Sequence, residues 1–213
     1  MCILGAVSWS RVLAFLAGAA TPGLAFLAGA ATAIFADPIR QWIFRPTLKI
    51  SFDSDDRCIS KTPSGPTGTE SEGYYVRVLV RTTNVFGRRL VKGCRAYLVK
   101  VEVEEGGVFG PSNFADTLRL KWSSQLPDET TRAVDIPKGV SQFVDVISTD
   151  RSARGSYFAQ TTLMPFYCAH LFDARPKTLR LTVLVTGDDT KPARTSFIFR
   201  WKGAWDTFET SPG

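Results

Sequence analysis

Histidine occurs once in this chain of 213 residues, as His170. That scarcity excludes every metal site or proton relay needing two imidazoles. Cysteine occurs four times (Cys2, Cys58, Cys94 and Cys168), and no two stand in a C-x-x-C spacing. A zinc ribbon or a dithiol redox motif therefore has no support. His170 follows Cys168 by two residues, which on a strand sends the two side chains to opposite faces, away from a nucleophile–base pair. There is no P-loop and no G-x-S-x-G elbow. Asp53, Asp55 and Asp56 open like a calcium loop, but the Gly and closing Glu are missing at the required spacing. No catalytic, cofactor-binding or metal residue can be named, and a non-enzyme is expected.

Charge is also absent, from Val12 to Ala36. This run of 25 residues lies between Arg11 and Asp37. As a helix it is about 37 Å long, enough to cross a hydrocarbon core of ~30 Å with some tilt. Residues 1–46 are therefore expected to be one N-terminal transmembrane helix with its juxtamembrane segment. A cleaved secretory signal is the alternative, but the run exceeds the usual h-region, the preceding residues are not basic, and a cut after Ala36 leaves Ile34 where a small residue belongs. Two short helices folded back at Pro22-Gly23 would bring Arg11, Asp37 and Arg40 to membrane depth at high cost.

The run repeats itself. LAFLAGAAT stands at Leu13–Thr21 and again at Leu24–Thr32, 11 residues on. Eleven residues are almost three helical turns, so both copies fall on nearly one face. Ala14, Gly18, Ala25 and Gly29 then form a small-residue stripe through which helices can approach closely. Self-association into a homo-oligomer is one reading, and a duplicated apolar stretch without a role is the other. Pro22 removes a backbone donor and predicts a kink in mid-span.

Arg40, Arg45 and Lys49 follow the run, against Arg11 alone before it. Basic residues favour the cytoplasmic side, which puts the large domain there. Trp9 and Trp42 flank the span and suit the membrane interfaces. If Cys2 lies at the far face, an odd set of three cysteines remains, which suits a reducing compartment.

From Thr47 onward the period changes to two. Leu48, Ile50 and Phe52 alternate with polar residues; so do Val76, Val78 and Val80 with Arg77, Leu79 and Arg81; and Leu118, Leu120 and Trp122 with Arg119 and Lys121. Leu179–Val185 and Phe197–Trp201 alternate likewise. Each pattern predicts a strand with one face to a core and one to water. Arg95–Val103 and Val140–Ile147 are further strands, and a bulge near Leu98–Val99 accounts for a change of face in the first. About seven or eight short strands argue a β-sandwich spanning 47–213. Asp53–Gly73 reads as a long polar loop with Cys58 exposed in it, and Phe166–Ala174 as a short helical turn.

Tyr74 to Val103 reads YYVRVLVRTTNVFGRRLVKGCRAYLVKVEV. A strand ends at Asn84, a tight turn holds Gly87, and a second strand follows, one residue later than usual and with Val91 in place of a small Ala. This stretch resembles the strand–turn–strand signature of bacterial immunoglobulin-like domains of the cell-adhesion-related (CARDB-like) type. Val134–Val146 is similar to the Pro-Gly turn and following strand of the same sandwiches. The resemblance implies an immunoglobulin-like fold that binds rather than reacts.

The formal net charge is +6. Arg88, Arg89, Lys92 and Arg95 cluster at the expected hairpin, and with Arg40, Arg45 and Lys49 they are the candidate contacts for an anionic ligand or acidic lipids. Arg77, Arg81, Arg119, Lys121, Arg180, Arg200 and Lys202 fall on predicted outer faces, but Glu102, Glu104, Glu105, Asp116 and Asp145 line the domain too, which favours an ordinary solvated sheet. The expectation is a mainly β protein with a cytoplasmic immunoglobulin-like sandwich, held in a bacterial inner membrane by one helix. It binds or senses an unknown protein or anionic ligand; nucleic acid is not the expected partner, and no cofactor is implied. Two alternatives stay open: a membrane-perturbing effector controlled by the sandwich, as in a defence or toxin-like system, and a periplasmic binding module released by cleavage.

Overall fold

The switch to period two at Thr47 is where strand structure begins among the described residues. In the computed structural model the described residues are 46–64, 71–83, 90–114, 116–125, 132–151, 157–159, 175–188 and 190–213. The apolar run, Trp9, Trp42, Cys2, Asn84, Gly87, Cys168, His170 and the Phe166–Ala174 turn lie outside them. Arg45–Gly213 form one compact unit. Its strands begin with β1 (Leu48–Ser51), β2 (Ile59–Ser64), β3 (Ser71–Thr82), β4 (Leu90–Glu105) and β5 (Val108–Pro111). β6 (Leu118–Arg119), β7 (Lys121–Trp122), β8 (Val134–Pro137) and β9 (Ser141–Asp150) follow. β10 (Tyr157–Ala159), β11 (Lys177–Thr186), β12 (Ala193–Ala204) and β13 (Thr207–Pro212) complete the set.

These strands form two antiparallel sheets in a β-sandwich. One sheet has the order β1-β3-β9-β10, with β2 beside β3 and β7 beside β9; the other has the order β13-β12-β11-β4-β5, with β6 and β8 beside β4. The alternating residues supply the core. Val76, Val78 and Val80 face in from one sheet, and Leu179, Leu181, Val183, Val185, Phe197, Phe199 and Trp201 from the other, all of them buried. Rings from the two sheets meet directly: Phe52 stacks on Phe197 with centroids 4.4 Å apart, and Tyr157 lies 4.9 Å from Trp201. Such pairs add to the stability from apolar burial alone.

β4 carries the bulge expected at Leu98–Val99. Lys100 faces Thr182 and Leu98 faces Val183, so Val99 is the extra residue. A second bulge lies between Val91 and Cys94 against β8, and Gly93 has the left-handed φ of 65° there. Leu118, Leu120 and Trp122 are all buried, yet β6 pairs with β4 in one sheet and β7 with β9 in the other. One alternating run therefore crosses the edge of the sandwich.

Three expectations change. The polar stretch Asp53–Gly73 is not all loop, because β2 pairs with β3 from Ile59↔Val76 to Ser64↔Ser71. Its strand forms through backbone bonding to a neighbour, which a weak apolar pattern does not reveal. Cys58 is 1% exposed, not a surface thiol. Asp55 turns the chain there: its backbone carbonyl accepts from the Cys58 and Ile59 N–H groups and its carboxylate from Arg57, which places Cys58 inward. Leu79, expected on a water face, is buried; Phe143, its cross-strand partner on β9, is half-buried.

Candidate functional site

The outer faces of the two sheets handle charge differently. On the β11 side, Arg180 stands opposite Glu102 across the β4–β11 pair. Its Nε and Nη2 donate to the two carboxylate oxygens at 2.8 Å each, and Lys100 Nζ donates at 2.9 Å. The guanidinium also lies 4.6 Å from the centroid of the Phe109 ring on β5. Arg180 and Lys100 hold the Glu102 carboxyl down at about 2. Glu102 is covered by its neighbours' side chains at the surface rather than sunk into the core. Nearby, Thr182 and Ser196 share a 3.0 Å hydrogen bond and Lys202 pairs with Glu209. These contacts tie adjacent strands together; both Glu102 oxygens are engaged, while the Lys202–Glu209 pair lies at the open surface.

On the β3–β9 face, Arg77 Nε donates to Asp145 Oδ1 at 2.9 Å, and Ser123 Oγ donates to the same oxygen. Asp145 is 4% exposed. Burial raises its pKa in spite of these partners, so desolvation outweighs the Ser123 hydrogen bond and the Arg77 charge. A carboxylate, a hydroxyl and a guanidinium so arranged tie β3, β9 and the segment after β7 together.

The candidate basic residues divide. Arg40, Arg45, Arg88 and Arg89, with the stripe Ala14, Gly18, Ala25 and Gly29, lie outside the described residues. Lys49, Lys92 and Arg95 are exposed and reach the same end of the sandwich. That end is tied together by short contacts. Thr83 N donates to Thr47 O at 3.0 Å, Thr47 bridges to Lys191, and Asp188 N donates to Lys92 O at 2.9 Å. Thr82 Oγ1 donates to Pro137 O at 3.3 Å.

Sequence reasoning placed Arg81 on an outer face without joining it to this cluster, and missed Lys191 and Arg194. Lys49 pairs in register with Arg81, so two exposed cations stand side by side on neighbouring strands. Lys191 and Arg194 flank the Pro192 turn between β11 and β12 and are exposed at the same end. The signal was available: the two cleanest alternating runs bracket that turn, which fixes it at one end of the sheet. Two carboxylates are also present. Asp135 Oδ1 accepts from Gly93 N at 2.9 Å, and the Asp188 carboxylate lies within 2.7 Å of where a Cβ on Gly93 would sit. Beneath them the Cys94 thiol is buried, which pushes it up to about 12 and leaves it an inert core group.

Among the described residues no group of three His, Cys, Asp or Glu side chains could hold a metal ion, and no helix is long and apolar enough to cross a membrane. No protein-family model matches the chain, and no curated protein is significantly similar to it.

Proposed function

We propose that the chain is a non-enzymatic binding or sensing module, an immunoglobulin-like sandwich held at the cytoplasmic face of a bacterial inner membrane by its N-terminal apolar run. The observation that carries the fold part is strand order. β1, β3 and β9 lie in sequence across one sheet, and β12, β11 and β4 across the other. Taken in chain order, these six occupy the places of strands A, B and E and of G, F and C in an immunoglobulin sandwich. The membrane part rests on the 25 uncharged residues from Val12 to Ala36. A binding role suits a scaffold whose mid-sheet charges, Glu102–Arg180 and Arg77–Asp145, are spent on holding strands together.

Carbonate extraction of a membrane fraction, with sequencing of the recovered N-terminus, tests the anchor. The expected result is a chain that stays with the membrane and retains residues 12–36. A soluble chain beginning at Asp37 overturns it and favours the released module. The duplicated LAFLAGAAT segment favours a second reading, in which the helix assembles in the bilayer and the sandwich controls it.

A further inference from the structure

We infer that the end of the sandwich carrying Thr47 is a docking face for acidic phospholipid headgroups. The inference rests on the membrane-anchored reading and names the surface that meets the bilayer. Thr47 follows Ala36 by 11 positions in the chain. Fully extended, that link reaches at most about 40 Å. The chain enters the domain at Thr47, so that end cannot lie farther than this from Ala36.

The charge at that end is mostly positive, with Asp135 and Asp188 as its carboxylates. Lys49, Arg81, Lys92, Arg95, Lys191 and Arg194 are all exposed there, and none makes an ion pair among the described residues. Asp135 turns its carboxylate to the Gly93 N–H instead. The opposite end differs. Lys61 is paired with Glu72 and Lys202 with Glu209, and Glu104 and Glu105 close the β4 strand. Among the described residues, six exposed cations without an ion pair thus gather at the tethered end, against Arg151 at the other.

Lys49 beside Arg81 is the sharpest part of this pattern. Like charges directly opposite on neighbouring strands repel, and no carboxylate among the described residues relieves them. An anion plane placed against them would. The cations also ring the end on both outer faces, with Lys49 and Arg81 on one sheet and Arg95 and Arg194 on the other. That distribution fits a flat charged surface better than a strand of nucleic acid, which calls for a groove with stacking aromatics.

The test uses the full chain in nanodiscs of phosphatidylcholine alone or mixed with phosphatidylserine, read by hydrogen exchange. Acidic discs should slow exchange in peptides covering 47–50, 90–95 and 187–194 by about tenfold, and high salt should abolish the effect. Lys49→Glu/Arg81→Glu should remove it, whereas Lys61→Glu/Lys202→Glu, an equal charge change at the far end, should not. Exchange in 179–185 reports whether each variant is folded; if the first variant unfolds, the comparison of lipids and salt in the unaltered chain decides. Equal exchange in neutral and acidic discs, with the chain embedded in both, overturns the docking face alone. A chain that elutes free of the discs overturns the anchored reading and this inference with it.

Discussion

Arg180 holds Glu102 across the β4–β11 pair with two hydrogen bonds of 2.8 Å, one to each carboxylate oxygen. The pair joins residues far apart in the chain at the centre of the seven-stranded sheet, and Lys100 completes it.

This geometry sets a pH dependence. In the folded state Arg180 and Lys100 hold the Glu102 carboxyl down at about 2, below its ordinary 4.5. A depressed carboxyl contributes stability that is fully present above the unfolded value and is lost as pH falls through the folded one. Urea unfolding should therefore show Glu102→Gln less stable by about 1–2 kcal/mol at neutral pH. The gap to the unaltered protein should close as pH drops from 4.5 towards 2. A gap that is independent of pH would show that the ion pair is not its source.

Removing one partner of the Arg77–Asp145 pair should be costlier than removing both. Arg77→Met leaves a buried carboxylate without its cation and should cost about 3 kcal/mol or more. Arg77→Met combined with Asp145→Leu should recover much of that loss, because burial already works against the charged form of Asp145. Denaturant midpoints of the two single variants and the double variant give the coupling. Additive losses would contradict it.

The Cys58 and Cys94 thiols should resist modification in the folded protein. Both are buried, and burial raises both thiols above their ordinary range. Peptide mapping after brief treatment with a maleimide should find neither labelled until urea is added. Fast native labelling of Cys58 would restore the exposed loop that the sequence suggested.

Phe199→Ala or Trp201→Ala should cost about 3–5 kcal/mol, since each ring is nearly inaccessible and packs on Tyr157. Gly93→Ala should cost about 1–2 kcal/mol, from its φ of 65° and from the Asp188 carboxylate, which must swing aside. Thermal or urea unfolding measures all three. A loss under about 0.5 kcal/mol at Trp201 would place it outside the core.

If the proposed anchor assembles through the Ala14, Gly18, Ala25 and Gly29 stripe, Gly18→Ile with Gly29→Ile should reduce crosslinked oligomers in membranes to the level of an unrelated anchor. The bulkier side chains keep helix backbones apart while the segment stays apolar. A monomeric unaltered chain in the same assay would leave the duplicated segment without an assembly role.

The sequence determined the β class, the inward faces and the place of one bulge. Period two is local, so Leu179–Val185 and Phe197–Trp201 declare their buried sides without reference to any neighbour, and the broken alternation at Leu98–Val99 marks the extra residue. Tertiary structure alone decided the rest. Pairing β3 with β9 and β4 with β11 joins residues distant in the chain, and register then chooses each side chain's neighbour. That choice set Arg180 against Glu102, which neutralises both, and Lys49 against Arg81, which neutralises neither. It also recruited a polar segment as β2, turned Cys58 inward and carried Leu118–Trp122 from one sheet to the other. Alternation encodes which side of a strand seeks the core; it holds no information about which strand lies beside it, because that is settled by closing long loops and burying whole faces together.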